Sequence, residues 1–179
     1  MSVDSGPRQF PAQDFVLRDA RRLTLREIRA DDAGRMQGAI RAMSAESRYT
    51  RFMSALRELS PRMLERAVNP DATSELQLIA VHGEGSEQEI VAGARYAAAP
   101  GSRVCEFAVT VTDPWQGCGL ARRLLEALIA EARTRGFTHM EGYILPSNDA
   151  MLALAKKLGF TAADYPEDPG VRLVRRALS

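Results

Sequence analysis

The chain has 179 residues, 45% of them hydrophobic, and a formal net charge of +1. That length suits one domain with a sizeable core, and the charge balance excludes any global pull toward nucleic acid or a membrane surface. No apolar run reaches the ~18 residues that a membrane span needs. Two cysteines, Cys105 and Cys118, are too few for a disulfide scaffold and point to free thiols in a reducing, cytoplasmic setting. The two histidines, His82 and His139, stand apart without ligand spacing, so no metal site is expected.

Residues 1–13 are polar, lack the apolar core of a signal peptide, and read as a flexible tail before a single domain over 14–179. Phe15–Leu17 and Arg22–Ile28 pattern as a hairpin. The Ala30-Asp31-Asp32 turn offers a carboxylate cap to a helix over about Ala33–Ala45. Ser47–Phe52 (SRYTRF) fits either a continuation of that helix or a loop. Ser60-Pro61 opens a second helix, an N-cap followed by proline at the first helical position, and Asn69-Pro70 stops it. Leu76–Val81 and Ile90–Ala98 form a hairpin across His82–Ser86. Val104–Val111 is a strand, Gly119–Arg135 a helix ended by Gly136, and Met140–Leu145 a strand. Asp149–Leu158 is a helix closed by Gly159, and Phe160–Ala163 and Val171–Arg176 are closing strands. The order is mixed α/β, with antiparallel hairpins followed by a crossover helix that returns the next strand in parallel.

The chemistry concentrates in Arg103–Arg123, where a strand meets a turn and the turn opens a helix. Small residues at a helix N-terminus leave N–H groups unpaired, the helix dipole adds positive charge there, and together these bind phosphate. Gln116-Gly117-Cys118-Gly119-Leu120-Ala121 fits Gln/Arg-x-x-Gly-x-Gly/Ala. It resembles the acyl-CoA pyrophosphate loop of the GNAT N-acetyltransferase superfamily. Asn148, followed by a helix that ends in Leu158-Gly159-Phe160, resembles a second motif of that superfamily at family spacing. The likeness extends from Arg22 to Arg176. The segments 47–52, 106–111, 115–129 and 145–160 are further similar to the catalytic domain of bacterial protein lysine acetyltransferases that act on acetyl-CoA synthetase. Those enzymes often carry a large regulatory domain, for which this chain has no room.

The resemblance implies the GNAT fold: a mixed, mostly antiparallel sheet of six to seven strands flanked by about four helices, splayed between strands 104–111 and 140–145. It implies acetyl-CoA as co-substrate and no metal. The pantetheine arm would bond the main chain at Val109, Thr110 and Val111, the pyrophosphate would rest on amides from Gln116 to Ala121, and Arg122 and Asn148 would assist. Glu106 matches the position of a catalytic glutamate. A lysine acceptor, with pKa ~10.4, must lose a proton before it attacks, and Glu106 would take it. The superfamily's usual tyrosine acid is replaced by Ala155, which leaves Tyr143 and Tyr165 as substitutes. Tyr49, Arg51 and Phe52 would lie by the acceptor entrance, and the acidic loop Asp164–Asp168 would border it.

The resulting expectation is an N-acetyltransferase acting on an amine, with a protein lysine favoured over a small amine, and either a monomer or a homodimer. A non-catalytic acyl-CoA-binding module is the rival reading.

Overall fold

The computed structural model describes residues 8–179. One eight-stranded sheet carries the molecule, in the order β1-β2-β3-β4-β5-β6-β8-β7. This is one strand more than the upper expectation, because both the lead-in arm and the short Thr161–Asp164 segment pair as full strands. The strands are β1 (Gln13–Val16), β2 (Arg22–Glu27), β3 (Glu75–His82), β4 (Glu89–Ala97), β5 (Val104–Val111), β6 (His139–Ile144), β7 (Thr161–Asp164) and β8 (Arg172–Ala177). Every neighbouring pair is antiparallel except β5 and β6, which run parallel across the crossover helix.

Five α-helices flank the sheet: α1 (Ala33–Ala42), α2 (Ala45–Phe52), α3 (Pro61–Val68), α4 (Leu120–Thr134) and α5 (Asp149–Lys157). On one face α4 buries Leu124, Leu125, Leu128 and Ala132 against Leu78, Ala94 and Tyr96. The leucines recur every three or four residues, so a single helical stripe meets the sheet. On the other face Ile28, Val68, Ile79, Val81 and Ile90 form a smaller core beneath α1 and α3. Among the described residues no helix is long and apolar enough to cross a membrane.

Three sequence expectations change. SRYTRF belongs to a separate helix. The chain becomes extended at Met43, and Ser44 caps α2 by accepting a hydrogen bond from the Ser47 N–H. Of the expected tail over residues 1–13, residues 1–7 lie outside the described residues, but Phe10 is buried and its N–H donates to Glu27 Oε1 at 2.6 Å. The Asp32 carboxylate does not cap α1. It turns back, is fully buried, and takes two hydrogen bonds from Arg26 at 2.7 and 2.8 Å and one from the Arg29 N–H at 2.8 Å. Burial opposes its charge, but those donors outweigh burial and hold its carboxyl below the ordinary value.

The Asp32–Arg26 pair pins α1 to β2. Asp32→Asn leaves the Arg26 charge buried without its partner and should cost ~3–5 kcal/mol. Because the folded carboxyl is held below its unfolded value, its stabilisation is complete above about pH 5 and fades as pH falls through the depressed value. Chemical denaturation of the wild type should therefore show stability falling on acidification, with a smaller fall in Asp32→Asn. An equal pH dependence in the two proteins would contradict the assignment.

Candidate active site

β5 and β6 stay paired only from Val104↔His139 to Glu106↔Glu141. Beyond that point β5 continues against β4 and β6 against β8. At the first unpaired position the Phe107 ring packs against Gly142 of β6, where an added Cβ would sit only 2.6 Å from its Cε1, and Phe160 backs the ring at 5.2 Å. The ring therefore leaves no room for a side chain at position 142.

The parting opens a cleft of about 860 Å³, with Glu106, Val109 and Val111 on one wall and Tyr143, Asn148 and Met151 on the other. Thr112 donates its N–H to the Val91 carbonyl on β4, at 2.9 Å. Strand alternation then turns the backbone groups of Val109 and Val111 toward the gap. Thr110 alternates the other way, opposite Gly93 of β4.

At the end of β5 the chain enters a short 3-10 turn, Asp113–Trp115, and then the glycine loop. Gly117 and Gly119 have φ of +75° and +88°, a region that favours glycine, and Gly119 is the N-cap of α4. The backbone N–H groups of Gly117, Cys118, Gly119, Leu120, Ala121 and Arg122 have no acceptor among the described residues. Such a row of donors at the start of a fifteen-residue helix suits a polyanion. The loop is braced from outside. Asp113 accepts from the Ser44 N–H at 3.0 Å and from both the Ser44 and Ser47 hydroxyls at 2.8 Å. Gln116 Nε2 donates to Ser47 Oγ and to the Val111 carbonyl, both at 3.2 Å. Cys118 Sγ donates to the Trp115 carbonyl at 2.7 Å.

Glu106 stands at the last paired rung. It is solvent-exposed on its open side and walled on the other. Burial, followed by the like charge of Glu141, pushes its carboxyl above the ordinary value, while Arg95 and Arg51 pull it down. A carboxylate tuned upward is a better proton acceptor near neutral pH.

Most of the sequence-predicted residues gather here, and a few do not. Asn148 caps α5, its Oδ1 accepting from the Met151 N–H at 3.2 Å, and also lines the cleft. Arg51 and Phe52 line the cleft, whereas Tyr49 is 52% exposed and lies outside its lining. Arg122 is paired to Glu126 at 2.9 Å. Ala155 is buried in the core. Of the two substitute phenols, Tyr165 donates to Glu167 Oε2 at 2.5 Å, and that bond raises its pKa and holds its proton. Tyr143 packs edge-on to Tyr165 at 5.0 Å and lines the cleft. From the acidic loop, Tyr165 and Asp168 reach the cleft wall, while Asp164 pairs with Arg172. Sequence reasoning missed Glu141, Arg95 and the Asp113–Ser44–Ser47 brace, since each acts through a strand neighbour or a contact more than sixty residues away.

Known proteins are similar to this chain. Residues 22–161 match the family model described as the acetyltransferase (GNAT) domain. The chain is 34% identical over 162 residues to Acetyltransferase PA5475 of Pseudomonas aeruginosa, covering 90% of this chain and 87% of that one. It is 30% identical to Acetyltransferase Pat of Mycolicibacterium smegmatis over 82% of this chain, but spans only 43% of that longer protein. The solved GNAT domain of S. lividans PAT superposes with a TM-score of 0.83 at 30% identity, over 94% of this chain and 99% of that domain. The fold also matches yncA of Salmonella typhimurium, a structure containing acetyl-CoA, with a TM-score of 0.65 at 22% identity over 88% of this chain and 94% of that one. A strand pair that parts after Glu106, a glycine loop with a row of free amides and a family match over most of the chain lead to one conclusion: this protein belongs to the GNAT acetyltransferase family.

Proposed function

We propose that the chain transfers an acetyl group from acetyl-CoA to an amine by direct attack, with Glu106 as the general base. One observation carries the reading. A carboxylate whose proton affinity is raised by burial and Glu141 stands at the rung where the cleft begins, next to a strand edge whose Val109 backbone groups turn toward the gap. In this reading the amides from Gly117 to Arg122 hold the pyrophosphate, and Val109 and Val111 take the pantetheine amides. A backbone N–H near Val109 polarises the thioester carbonyl. Glu106 accepts the proton that the amine loses as it attacks. The departing CoA sulfur leaves as a thiolate or is protonated by water or Tyr143, because position 155 offers no hydroxyl.

The acceptor class has two supports. Likeness to the S. lividans PAT domain and to Pat favours a protein lysine. A partly open, apolar-walled cavity beside the cleft favours a small amine. The free thiols of Cys105 and Cys118 support a reducing, cytoplasmic setting.

Glu106→Gln keeps the size of the side chain and removes the base. Turnover at neutral pH should fall ~10²-fold or more, since positioned bases contribute ~10²–10⁴, while acetyl-CoA affinity by calorimetry stays within about twofold. Undiminished turnover would rule Glu106 out as the base.

The pH profile gives an independent check. The acid limb of kcat/KM reports the free enzyme's base and should lie above the ordinary glutamate value of about 4.3. Removing the neighbouring charge with Glu141→Gln favours ionised Glu106, so the limb should move to lower pH. A limb that stays put would show that another group titrates.

A further inference from the structure

A second cavity, of about 450 Å³, lies on the opposite side of β5 from the glycine loop, roofed by α1, α2 and α3. Its walls are apolar: Met36, Ile40, Phe52, Leu59 and Met63. Small residues keep its floor open, namely Gly93 and Ala94 on β4 with Ala108 on β5. At Gly93 even a methyl group would crowd the Gln77 amide, at 3.3 Å. The cavity joins the cleft. Met43, Arg51, Phe52, Ala108 and Thr110 line both.

The charges of the two compartments differ. The cleft lining holds four carboxylates, Glu46, Glu106, Asp113 and Asp168, against the single cation Arg51. The second cavity has Arg51, Arg66 and Arg95 and no carboxylate in its lining. These arginines are poorly neutralised. Arg66 and Arg95 share one oxygen of Glu75, at 3.4 and 3.6 Å. Arg51 makes no ion pair among the described residues and rests 4.8 Å from the Phe52 ring centroid. Burial and the nearby Arg95 lower its pKa to about 10. It remains cationic near neutral pH, at the junction of the two compartments, with Glu106 acting on it only at a distance and no carboxylate in direct contact among the described residues.

Glu106 and Arg95 are two register positions apart on β5 and β4, on the same face of the sheet: Ala97 faces Glu106, and Arg95 faces Ala108. Diagonal neighbours of this kind lie about 7–8 Å apart at Cα, within reach of long side chains. A base and a carboxylate receptor are therefore spaced for one small zwitterion.

Resting on the N-acetyltransferase reading above, and naming its acceptor class, we propose that this cavity binds the acceptor and that the acceptor is a small amine bearing a carboxylate and a large apolar group, an apolar α-amino acid such as leucine, methionine or phenylalanine. The amine faces Glu106, the carboxylate faces Arg51 and Arg95, and the side chain fills the space between Met36, Ile40, Leu59 and Met63. In the reaction the amine nitrogen forms a bond to the acetyl carbon, the carbon–sulfur bond of acetyl-CoA breaks, Glu106 takes the amine proton, and the sulfur leaves with its electron pair as CoA thiolate. A protein lysine lacks the adjacent free carboxylate and leaves the arginines unmatched.

The test uses the intact protein with CoA present, so that binding is read without turnover, followed by CoA-thiol release with acetyl-CoA. Calorimetry should detect leucine, methionine and phenylalanine binding, with leucinamide about 10-fold weaker or worse, the loss expected for a charged hydrogen bond. Arg95→Gln should shrink the acid-to-amide ratio to about threefold or less. The ratio corrects for any general effect of that substitution on Glu106, and the wild-type comparison of acid with amide stands even where the variant folds poorly. The same amino acids should release CoA thiol. Equal binding of acid and amide by the wild type overturns the proposal. If a lysine peptide releases thiol while the amino acids neither bind nor react, the enzyme reading stands and the cavity assignment falls. If the amino acids bind with the stated preference but no amine releases thiol, the cavity assignment stands and the enzyme reading falls.

Discussion

The structure depends on the place where two parallel strands stop pairing. β5 and β6 share three rungs and then part after Glu106 and Glu141. Where they part, the ring of Phe107 packs on bare Gly142, and each strand keeps an antiparallel partner on its outer side, so the sheet stays whole. Backbone groups left unpaired in a folded protein need other partners. Along β5 they face the gap, and at the head of α4 a run of amides does the same. The cleft is a consequence of how the sheet is built, not an addition to it.

The same strand divides two chemistries. Toward the gap beside β6 it turns the backbone groups of Val109 and Val111, suited to the amide-bearing arm of a thioester cofactor. Toward α1–α3 it presents Glu106, Ala108 and Thr110, with Arg95 across the ladder. Glu106 is the last paired residue and therefore lies at the border. Its surroundings pull it both ways, with burial and Glu141 raising its proton affinity and two arginines lowering it. α2 is the element that ties the sides together. Its N-terminus is clamped to Asp113 beside the loop, and its far end carries Arg51 and Phe52 into both cavities.

Local rules made much of this readable in the sequence. Ser60-Pro61 starts α3 and Ser60 caps it as expected, because capping involves only nearby residues. The β3–β4 hairpin, the glycine loop and the Asn148 cap follow for the same reason. What escaped is long-range. Nothing near Ser44 says that Asp113 will fix it, so the break between α1 and α2 was ambiguous. Asp32 looks like a helix cap until Arg26 competes for it. Gly142 reads as an ordinary weak point in a strand until Phe107 lies upon it. Arg51 was placed near the acceptor through resemblance, but its unpaired, desolvated state beside Arg95 emerges only when α2 packs on the sheet.

The most direct test of the account is amide hydrogen exchange, read residue by residue, with and without acetyl-CoA. The account predicts new protection at Gly117 to Arg122 and at Val109 and Val111, with little change along β2 and β3. Protection confined to other surfaces, or none at saturating acetyl-CoA, would contradict it.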